Sequence, residues 1–460
     1  MNNTALAWVG CYVLLAVLSF RRPAWGIGMY LLTFYLSPSF WWWGAPLMAI
    51  STRINLASAL ILAVVVFGQY HKSLPLSSRD RTVFTLLLIY AINATAVHWL
   101  FANNPERSLN GMTMIWKQVG LLFLFTQAMR NRSDINIFIG AILMGSLYIA
   151  YEVVVNDRGG IEAGRLEGVG APGAAESNYL AGLMAFAIPL GGYWLFYGSK
   201  WQKGLSFVTL VLVFEVIIRC NSRGVFLALI AAGVWLFLSA KGRVRKQAFI
   251  GIALGCLAAY CMIGNAKITE RFMTTFAPAE ERDASAQSRM DYWGAARNMI
   301  ADYPLGSGAE AAFKSELGIR YLSETGITVA RAVHNGYLDI AASWGVQGLT
   351  LYLGVIAIIW RRVRRVRVAA ARRDDEKASF LGTCLESALI TQLVSCMFIS
   401  SLDGEWFFWW FAVCLSYERL YGFAPVEEST GESISDQFDR QSESADLIGQ
   451  FRRDPLVTGN

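Results

Sequence analysis

The chain has 460 residues, of which 55% are apolar and 16% are charged. Soluble domains carry about 25% charged residues, so this composition excludes a soluble enzyme and indicates a protein buried in a membrane. The net charge is +6, although residues 422–460 contain eight acidic and three basic residues, so the basic excess lies in the rest of the chain.

Apolar stretches of the length that crosses a bilayer, about 17 to 25 residues, recur along the chain. They predict twelve or thirteen transmembrane helices and an all-α, polytopic membrane protein. In chain order they are 4–20, 24–43, 54–70, 83–101, 111–129, 135–155, 177–198, 204–219, 223–240, 248–264, 336–360, 380–400 and 405–421.

Basic clusters fall in every second loop, and loops rich in Lys and Arg stay in the cytoplasm. These clusters are Arg21/Arg22, Lys72/Arg79/Arg81, Arg130/Arg132, Lys200/Lys203, Lys241/Arg243/Arg245/Lys246 and the run from Arg361 to Lys377. The pattern predicts an N-terminus on the outside and two long exofacial loops. No loop on the cytoplasmic side is long enough for a soluble catalytic domain.

The predicted organisation follows from this topology. We expect N-terminal transmembrane helices, central transmembrane helices with the first exofacial loop, a large periplasmic loop, C-terminal transmembrane helices and a disordered cytoplasmic tail. The corresponding residues are 1–155, 156–264, 265–335, 336–421 and 422–460. Within the large loop, residues 288–303 show helical periodicity and end before Pro304.

Three exofacial positions are candidates for chemistry. Arg223 follows a tight turn between two spans, Arg289 lies in the loop helix, and His334 precedes the span that begins near Gly336. Each also has a structural interpretation: Arg223 as a side chain that reaches to the interface, Arg289 as a solvated charge, and His334 as a cap. Together they suit one reaction, the displacement of a lipid diphosphate by an alcohol.

The chemical reason lies in the groups themselves. A guanidinium never loses its charge and presents a planar fork of donors to phosphate oxygens. A neutral imidazole, with an ordinary pKa of about 6.5, takes a proton from an attacking hydroxyl at neutral pH. Stabilising a leaving group with charges placed in advance is commonly the largest catalytic contribution, on the order of 3 kcal/mol per donor.

Further polar residues flank these positions. Arg165 lies in the first exofacial loop and Asn178 opens the next span, and they either bind sugar or diphosphate or solvate the loop. Glu215 and Arg219 are four residues apart on one helix and are expected to neutralise each other. The aromatic runs Trp41 to Trp43 and Trp406 to Trp410 fall at predicted outer interfaces, where aromatic belts explain them.

The sequence predicts no metal site and no cofactor. The seven cysteines form no C-x-x-C pair and no Cys/His cluster at ligand spacing. A phosphate-binding G-x-x-x-x-G-K loop is also absent.

Three motifs in this order resemble the O-antigen ligase and O-antigen polymerase superfamily, over roughly residues 205–400. The first runs from Ser222 to Ala228 inside a hydrophobic helix pair. The second is Ser288-Arg289-x-x-Tyr292-Trp293, which leads to Tyr303-Pro304-Leu305-Gly306-Ser307-Gly308. The third is His334-Asn335-Gly336-Tyr337-Leu338, followed by Trp344-Gly345-x-x-Gly348. A shorter similarity links Arg21-Arg22-Pro23-Ala24-Trp25-Gly26, Ser37-Pro38 and Trp43-Gly44 to the O-glycosylation ligases of exosortase-associated polysaccharide loci.

The resemblance implies a GT-C-type membrane glycosyltransferase of the bacterial inner membrane. Such an enzyme takes a glycan from undecaprenyl diphosphate on the periplasmic side and transfers it to a hydroxyl of lipid A-core, another glycan or a protein. It implies catalytic roles for Arg223, Arg289 and His334, and substrate binding by Arg165. We expect Asn178, Ser222, Ser288 and Asn335 to bind substrate beside them, without metal or cofactor and without nucleic acid.

Several alternatives remain open at this stage. An O-antigen or exopolysaccharide polymerase and a protein O-oligosaccharyltransferase would use the same motifs. From other classes, a transporter or flippase for lipid-linked glycan would also use basic exofacial residues, although the two halves show no repeat. A membrane cysteine peptidase would use Cys220 with His334, although a thiol buried at a helix end is usually inert.

Overall fold

The computed structural model describes residues 3–162, 164–173, 176–240, 284–308, 315–323 and 332–422, with a few single residues between 242 and 253. The expected span at 248–264, much of the loop 265–335 and the expected disordered tail from residue 423 onward therefore lie outside the described residues.

The described chain is built from helices, which confirms the predicted all-α membrane fold. Helices α1 to α14 span, in chain order, Asn3–Arg21, Ala24–Tyr35, Met48–Gly68, Ser78–Phe101, Pro105–Ala128, Arg132–Val154, Ser177–Tyr197, Lys200–Cys220, Arg223–Ser239, Ala284–Asp302, Glu316–Ser323, Gly336–Arg372, Glu376–Ser395 and Glu405–Tyr421. Short 3₁₀ helices cover Trp42–Leu47 and Tyr70–Lys72. One antiparallel hairpin joins β1 (Gly160–Glu162) to β2 (Arg165–Glu167).

Among the described residues, six helices are long and apolar enough to cross a membrane, or seven if the bent pair Trp42–Ser51 and Arg53–Gly68 is one span. The chain is therefore a multi-pass membrane protein, although this number is smaller than the twelve or thirteen spans expected. Some expected spans form shorter helices. The stretch 24–43, for example, is helical only to Tyr35, because a residue before proline disfavours helical geometry and Ser37-Pro38 follows closely.

Helix α12 is broken near its start. It runs for 37 residues, but Gly345 adopts φ 82° and ψ 167°, which divides it into a short first part and a long second part. A break of this kind frees carbonyl groups that the helix would otherwise pair. Inside a membrane protein these groups need partners from the protein itself.

The segment Pro304–Gly308, which follows α10, supplies those partners. The amides of Ser307 and Gly308 donate to the carbonyls of Ala342 and Ser343, each at 3.0 Å. In the opposite direction, the amide of Val346 donates to the Pro304 carbonyl at 3.0 Å. The large loop is thereby fixed to the bundle at the break in α12.

Glycines permit this docking. Gly306 has φ 100°, and a Cβ atom at this position would lie 2.6 Å from the backbone nitrogen of Gly345. Asn93 of α4 braces the other side of the break, because its Nδ2 donates to the Trp344 carbonyl at 2.8 Å. The Y-P-L-G-S-G and W-G-x-x-G motifs of the sequence are therefore the two halves of one backbone junction.

The basic loops meet at one end of the bundle, which we call the basic end. Arg130 donates to Oε1 of Gln69 at 3.1 Å, Arg132 donates to the Leu420 carbonyl at 3.3 Å, and Arg373 donates to the Tyr421 carbonyl at 2.9 Å. These contacts join loops that are far apart in sequence and bring Arg130, Arg132 and Arg373 to one end of the bundle.

A buried charge cluster lies at this end. Nη2 of Arg362 is 2.5 Å from a carboxylate oxygen of Asp80, and Nε of the same residue pairs with Glu418. All three residues are buried, with exposed fractions of 5%, 0% and 8% for Arg362, Asp80 and Glu418. One guanidinium therefore bridges two carboxylates and connects α4, α12 and α14, while Nη1 of Arg79 also pairs with Glu418 at 3.6 Å.

We expect Arg362→Ala to lower the free energy of unfolding by about 3 to 5 kcal/mol, because it leaves two carboxylates buried beside a cavity. Arg361→Ala is the matched control, since Arg361 is exposed on the same helix and its loss should cost less than about 0.5 kcal/mol. Thermal and denaturant unfolding of the two variants in one detergent would measure both. Equal stability of the two variants would contradict the assigned role of Arg362.

Candidate functional site

Helices α7, α9 and α12 begin around one connecting segment, residues 396–404, which joins α13 to α14. Tyr179 in the first turn of α7 bonds with Ser400: its hydroxyl donates to the Ser400 carbonyl at 3.3 Å and accepts from the Ser400 amide at 3.2 Å. At the start of α12, the Gly336 amide donates to the Cys396 carbonyl at 2.7 Å.

Helix α9 reaches the same segment through Gly224. A Cβ atom at this position would lie 2.6 Å from Cδ2 of Phe398, so only glycine allows this approach. Since Asn178, Arg223 and His334 lie at or next to the first residues of these three helices, the 396–404 segment brings three of the predicted site residues to one region.

The turn before Arg223 is sharply bent. Asn221 ends α8 in the left-handed region, with φ 46°, and Ser222 is the N-cap residue of α9. The carbonyl of Ser222 accepts from the amides of Val225 and Phe226, both at 3.1 Å, and Ser222 itself is 2% exposed. Arg223 is thus the first residue of α9, and the Nε atom of its side chain is buried.

The β-hairpin connects this turn to α7. Nδ2 of Asn221 donates to the Gly164 carbonyl at the hairpin tip at 3.2 Å, and the Ser177 hydroxyl donates to Oε1 of Glu167 in β2 at 2.8 Å. Arg165 lies in β2 opposite Glu162, and its charge acts on the buried Cys220 beside the turn. The structure therefore brings Arg165 and Asn178 to the same region as Arg223.

His334 has an unusual backbone. Its φ is 50°, in the left-handed region, and its side chain is largely buried at 9% exposure. The next residue explains part of this geometry, because Oδ1 of Asn335 accepts from the amides of Tyr337 and Leu338 at 3.0 and 3.1 Å and caps α12. A non-glycine residue held in this region costs about 1 to 3 kcal/mol, which is characteristic of functional positions.

Helix α10 packs beside His334. Nε1 of Trp293 donates to the carbonyl of Val333 at 3.1 Å, and Tyr292 shares a buried cluster with Val333 and Ala342. Arg289 lies one turn before Trp293 on the same helix, and Ser288 precedes it. The observed bounds of α10, Ala284–Asp302, confirm the predicted loop helix and its end before Pro304.

The region contains both basic and acidic side chains. Arg165, Arg223 and Arg289 carry positive charge, and the 396–404 segment contributes an acid that the sequence analysis did not identify, Asp403. Burial raises the pKa of the Asp403 carboxyl from its ordinary value. Within the described part of the chain, no group of three or more His, Cys, Asp and Glu side chains is arranged to hold a metal ion.

The sequence analysis missed the 396–404 segment, and with it Tyr179 and Phe398. The run Ser400-Ser401-Leu402-Asp403-Gly404 is a turn signal between two apolar stretches, but the span prediction extended to residue 400 and concealed it. The aromatic run from Trp406 to Trp410 was also misinterpreted as an interface belt. Trp406, Trp409 and Trp410 are buried, with Trp409 edge-on to Phe34 at 4.8 Å between ring centroids.

Comparison with protein families matches residues 207–353 to the family described as O-Antigen ligase. This range contains Ser222, Arg223, Ser288, Arg289, His334 and Asn335, whereas Arg165, Asn178 and the 396–404 segment lie outside it. A search of curated proteins finds no match. The matched range thus comprises most of α8, all of α9 to α11 and the broken start of α12.

We expect Gly224→Ala to destabilise the protein by about 1 to 3 kcal/mol, because the added methyl group overlaps the Phe398 ring. Gly120→Ala is the control, since a Cβ atom there meets nothing within 4 Å. The double variant Gly224→Ala/Phe398→Ala should recover part of the loss, since it removes the overlapping ring. Thermal unfolding in detergent would test this, and independent, additive effects of the two substitutions would contradict the contact.

Proposed function

We propose that the protein is an inverting membrane glycosyltransferase. It moves a glycan from undecaprenyl diphosphate to an acceptor hydroxyl on the periplasmic face of the inner membrane. One observation carries this proposal: α9 begins at Arg223, α12 begins just after His334, and both helices contact the 396–404 segment. Both helix starts lie inside the range matched to the family, and the segment lies outside it.

In the proposed reaction the acceptor oxygen attacks the anomeric carbon of the donor. The bond between that carbon and the diphosphate oxygen breaks, and both electrons leave with undecaprenyl diphosphate. Arg223 and Arg289 neutralise the charge that develops on this leaving group, because a guanidinium binds two phosphate oxygens at once. The imidazole of His334 accepts the proton of the acceptor hydroxyl.

The remaining site residues support these three. Arg165 and Asn178 extend the donor site through the hairpin and the start of α7, and Ser222 and Ser288 flank the two arginines. For Asn335 we propose a role other than the substrate binding expected from the sequence. Its Oδ1 caps α12, so we assign it to positioning His334.

The proposed chemistry does not by itself determine the acceptor. Ligation to lipid A-core, polymerisation of repeat units and transfer to protein all need the same donor site and base. We propose ligation to a surface glycan or lipid A-core, in keeping with the description of the matched family. The short N-terminal motif around Arg22 and Trp25 supports the branch of O-glycosylation ligases associated with exosortase loci.

The structure disfavours the peptidase alternative. Cys220 has an exposed fraction of 0%, at the end of α8 beneath the hairpin. A nucleophilic thiol needs access to its substrate and a lowered pKa, and burial works against both.

The proposed orientation predicts which residues react with an impermeant thiol reagent. In a Cys11→Ser background, which removes an exposed native thiol, Ser323→Cys should be labelled on intact spheroplasts and Ala371→Cys only after lysis. Both positions are exposed in the structure, at the ends of α11 and α12. The parent without an added cysteine sets the background, and labelling of Ala371→Cys alone in intact spheroplasts would invert the orientation.

Arg223→Lys and His334→Ala should separate leaving-group stabilisation from base catalysis. Lysine keeps the charge but loses the planar fork, so the affinity for the lipid diphosphate donor should fall at least about tenfold. His334→Ala should bind the donor normally, whereas turnover should fall by about 10² to 10⁴. Donor affinity and turnover measured on both variants in one detergent test this division.

The pH profile offers a second measurement on the same variants. The wild-type rate should rise with pH as the imidazole loses its proton, because only the neutral ring accepts the proton of the acceptor hydroxyl. That rise should vanish in His334→Ala and persist in Arg223→Lys. A fully active Arg223→Lys variant, or a His334→Ala variant with normal turnover, would overturn the assigned roles.

A further inference from the structure

The tryptophans at residues 41–43 differ in their exposure. Trp41 and Trp43 are buried, at 4% and 0% exposure, and their indole nitrogens donate to the Tyr35 carbonyl and the Tyr148 hydroxyl at 3.0 and 2.6 Å. Trp42, in contrast, is 60% exposed, yet its Nε1 donates to Oε1 of Glu152 at 3.3 Å. The interface belt that the sequence suggested therefore does not describe Trp41 and Trp43, and the hydrogen bond to Glu152 fixes the exposed Trp42 ring against the protein.

Trp42 lines a cavity of about 470 Å³ together with Glu152, Asn156 and Arg158. This volume is within the range of small-molecule sites, about 300 to 1,000 Å³, which combine an aromatic surface with a few fixed polar groups. An exposed indole face packs against the C–H face of a pyranose ring, while carboxylate, amide and guanidinium groups bond to its hydroxyls. The lining of this cavity is therefore suited to a saccharide.

The polar groups are held in place before any ligand binds. Oε1 of Glu152 accepts from Trp42 and also from the Tyr148 hydroxyl at 2.8 Å, and no bond from the described residues reaches Oε2. The Arg158 guanidinium lies over the Trp41 ring at 4.6 Å, and its Nε donates to the Val169 carbonyl at 2.6 Å. Groups fixed in this way lose little freedom when a ligand arrives.

The cavity residues are linked to the end of α8, the helix that precedes Arg223. Arg219, four residues before Arg223, donates to the Val153 carbonyl at 3.4 Å and pairs with Asp157 at 3.9 Å. Val153 and Asp157 are the sequence neighbours of Glu152, Asn156 and Arg158. The end of α6 and the loop after it, which together carry three of the cavity residues, are thus attached to the end of α8, directly before the turn that precedes Arg223.

We infer that the cavity formed by Trp42, Glu152, Asn156 and Arg158 binds a saccharide unit of the lipid-linked donor. The inference rests on the proposed function, because it assigns the glycan of that donor to a site beside the residues that hold its diphosphate. Trp42 supplies the stacking surface, and Glu152 and Arg158 select the arrangement of hydroxyls. The diphosphate and the glycan then have separate binding residues.

The test uses two probes: the lipid-linked glycan of the source organism, and the free glycan released from it by mild acid, which lacks the lipid diphosphate. Trp42→Ala should weaken free-glycan binding about tenfold, since a stacked aromatic contact is lost. Trp42→Phe should keep most of the affinity, because it retains a ring. Trp99→Ala is the control, since Trp99 is 75% exposed and does not line the cavity.

In transfer assays Trp42→Ala should raise the KM for the lipid-linked donor by a similar factor and leave kcat nearly unchanged. Arg223→Lys should leave free-glycan binding unchanged, which separates the two sites. Active transfer with unchanged KM and unchanged free-glycan binding in Trp42→Ala would overturn this inference while the proposed function stands. Free-glycan binding that depends on Trp42, in a protein that transfers nothing, would overturn the proposed function and leave the saccharide site intact.

Discussion

The break in α12 imposes the main constraint on this structure. Carbonyl groups released at Gly345 cannot turn to water inside a membrane bundle, and each unsatisfied group would cost several kcal/mol. The amides of Ser307 and Gly308 satisfy two of them, so the end of the large loop must return to the bundle at this point. The positions of α10, of Val333 and of His334 all follow, because α10 leads directly into the docked segment and packs against the residues before α12.

This constraint also explains why the motifs are spaced as they are. Tyr303 to Gly308 and Trp344 to Gly348 are about forty residues apart, yet their backbones form one junction in which a side chain at Gly306 would collide with Gly345. Around it, the 396–404 segment collects the starts of α7, α9 and α12. The candidate site is thus assembled largely through backbone contacts. Its charged side chains lie in or next to the first turns of helices, and the directions of these helices are fixed.

Much of the fold could be predicted from the sequence. The apolar period and flanking polar residues give α7 and α14 to within one residue, and the expected Glu215–Arg219 pair is present at 2.9 Å. What could not be predicted depends on tertiary neighbours. The motif around Gly345 does not reveal which segment donates hydrogen bonds to the carbonyls that the helix break frees. Hydrophobicity cannot distinguish Trp409, which packs on Phe34, from a tryptophan that faces lipid. Local pattern suggested Arg223 and His334 as candidates, but the contact of Gly224 with Phe398, which joins α9 to the 396–404 segment, links residues about 170 positions apart.

The meeting of three helix starts has an electrostatic consequence that does not depend on any side chain. Aligned peptide dipoles give each helix N-terminus the equivalent of roughly half a positive charge. Three such ends around the 396–404 segment create a standing positive potential that is built into the backbone and needs no proton to maintain it. An anionic leaving group would therefore meet a favourable field at every pH at which the fold persists, and mutation of a single arginine would reduce that field without abolishing it.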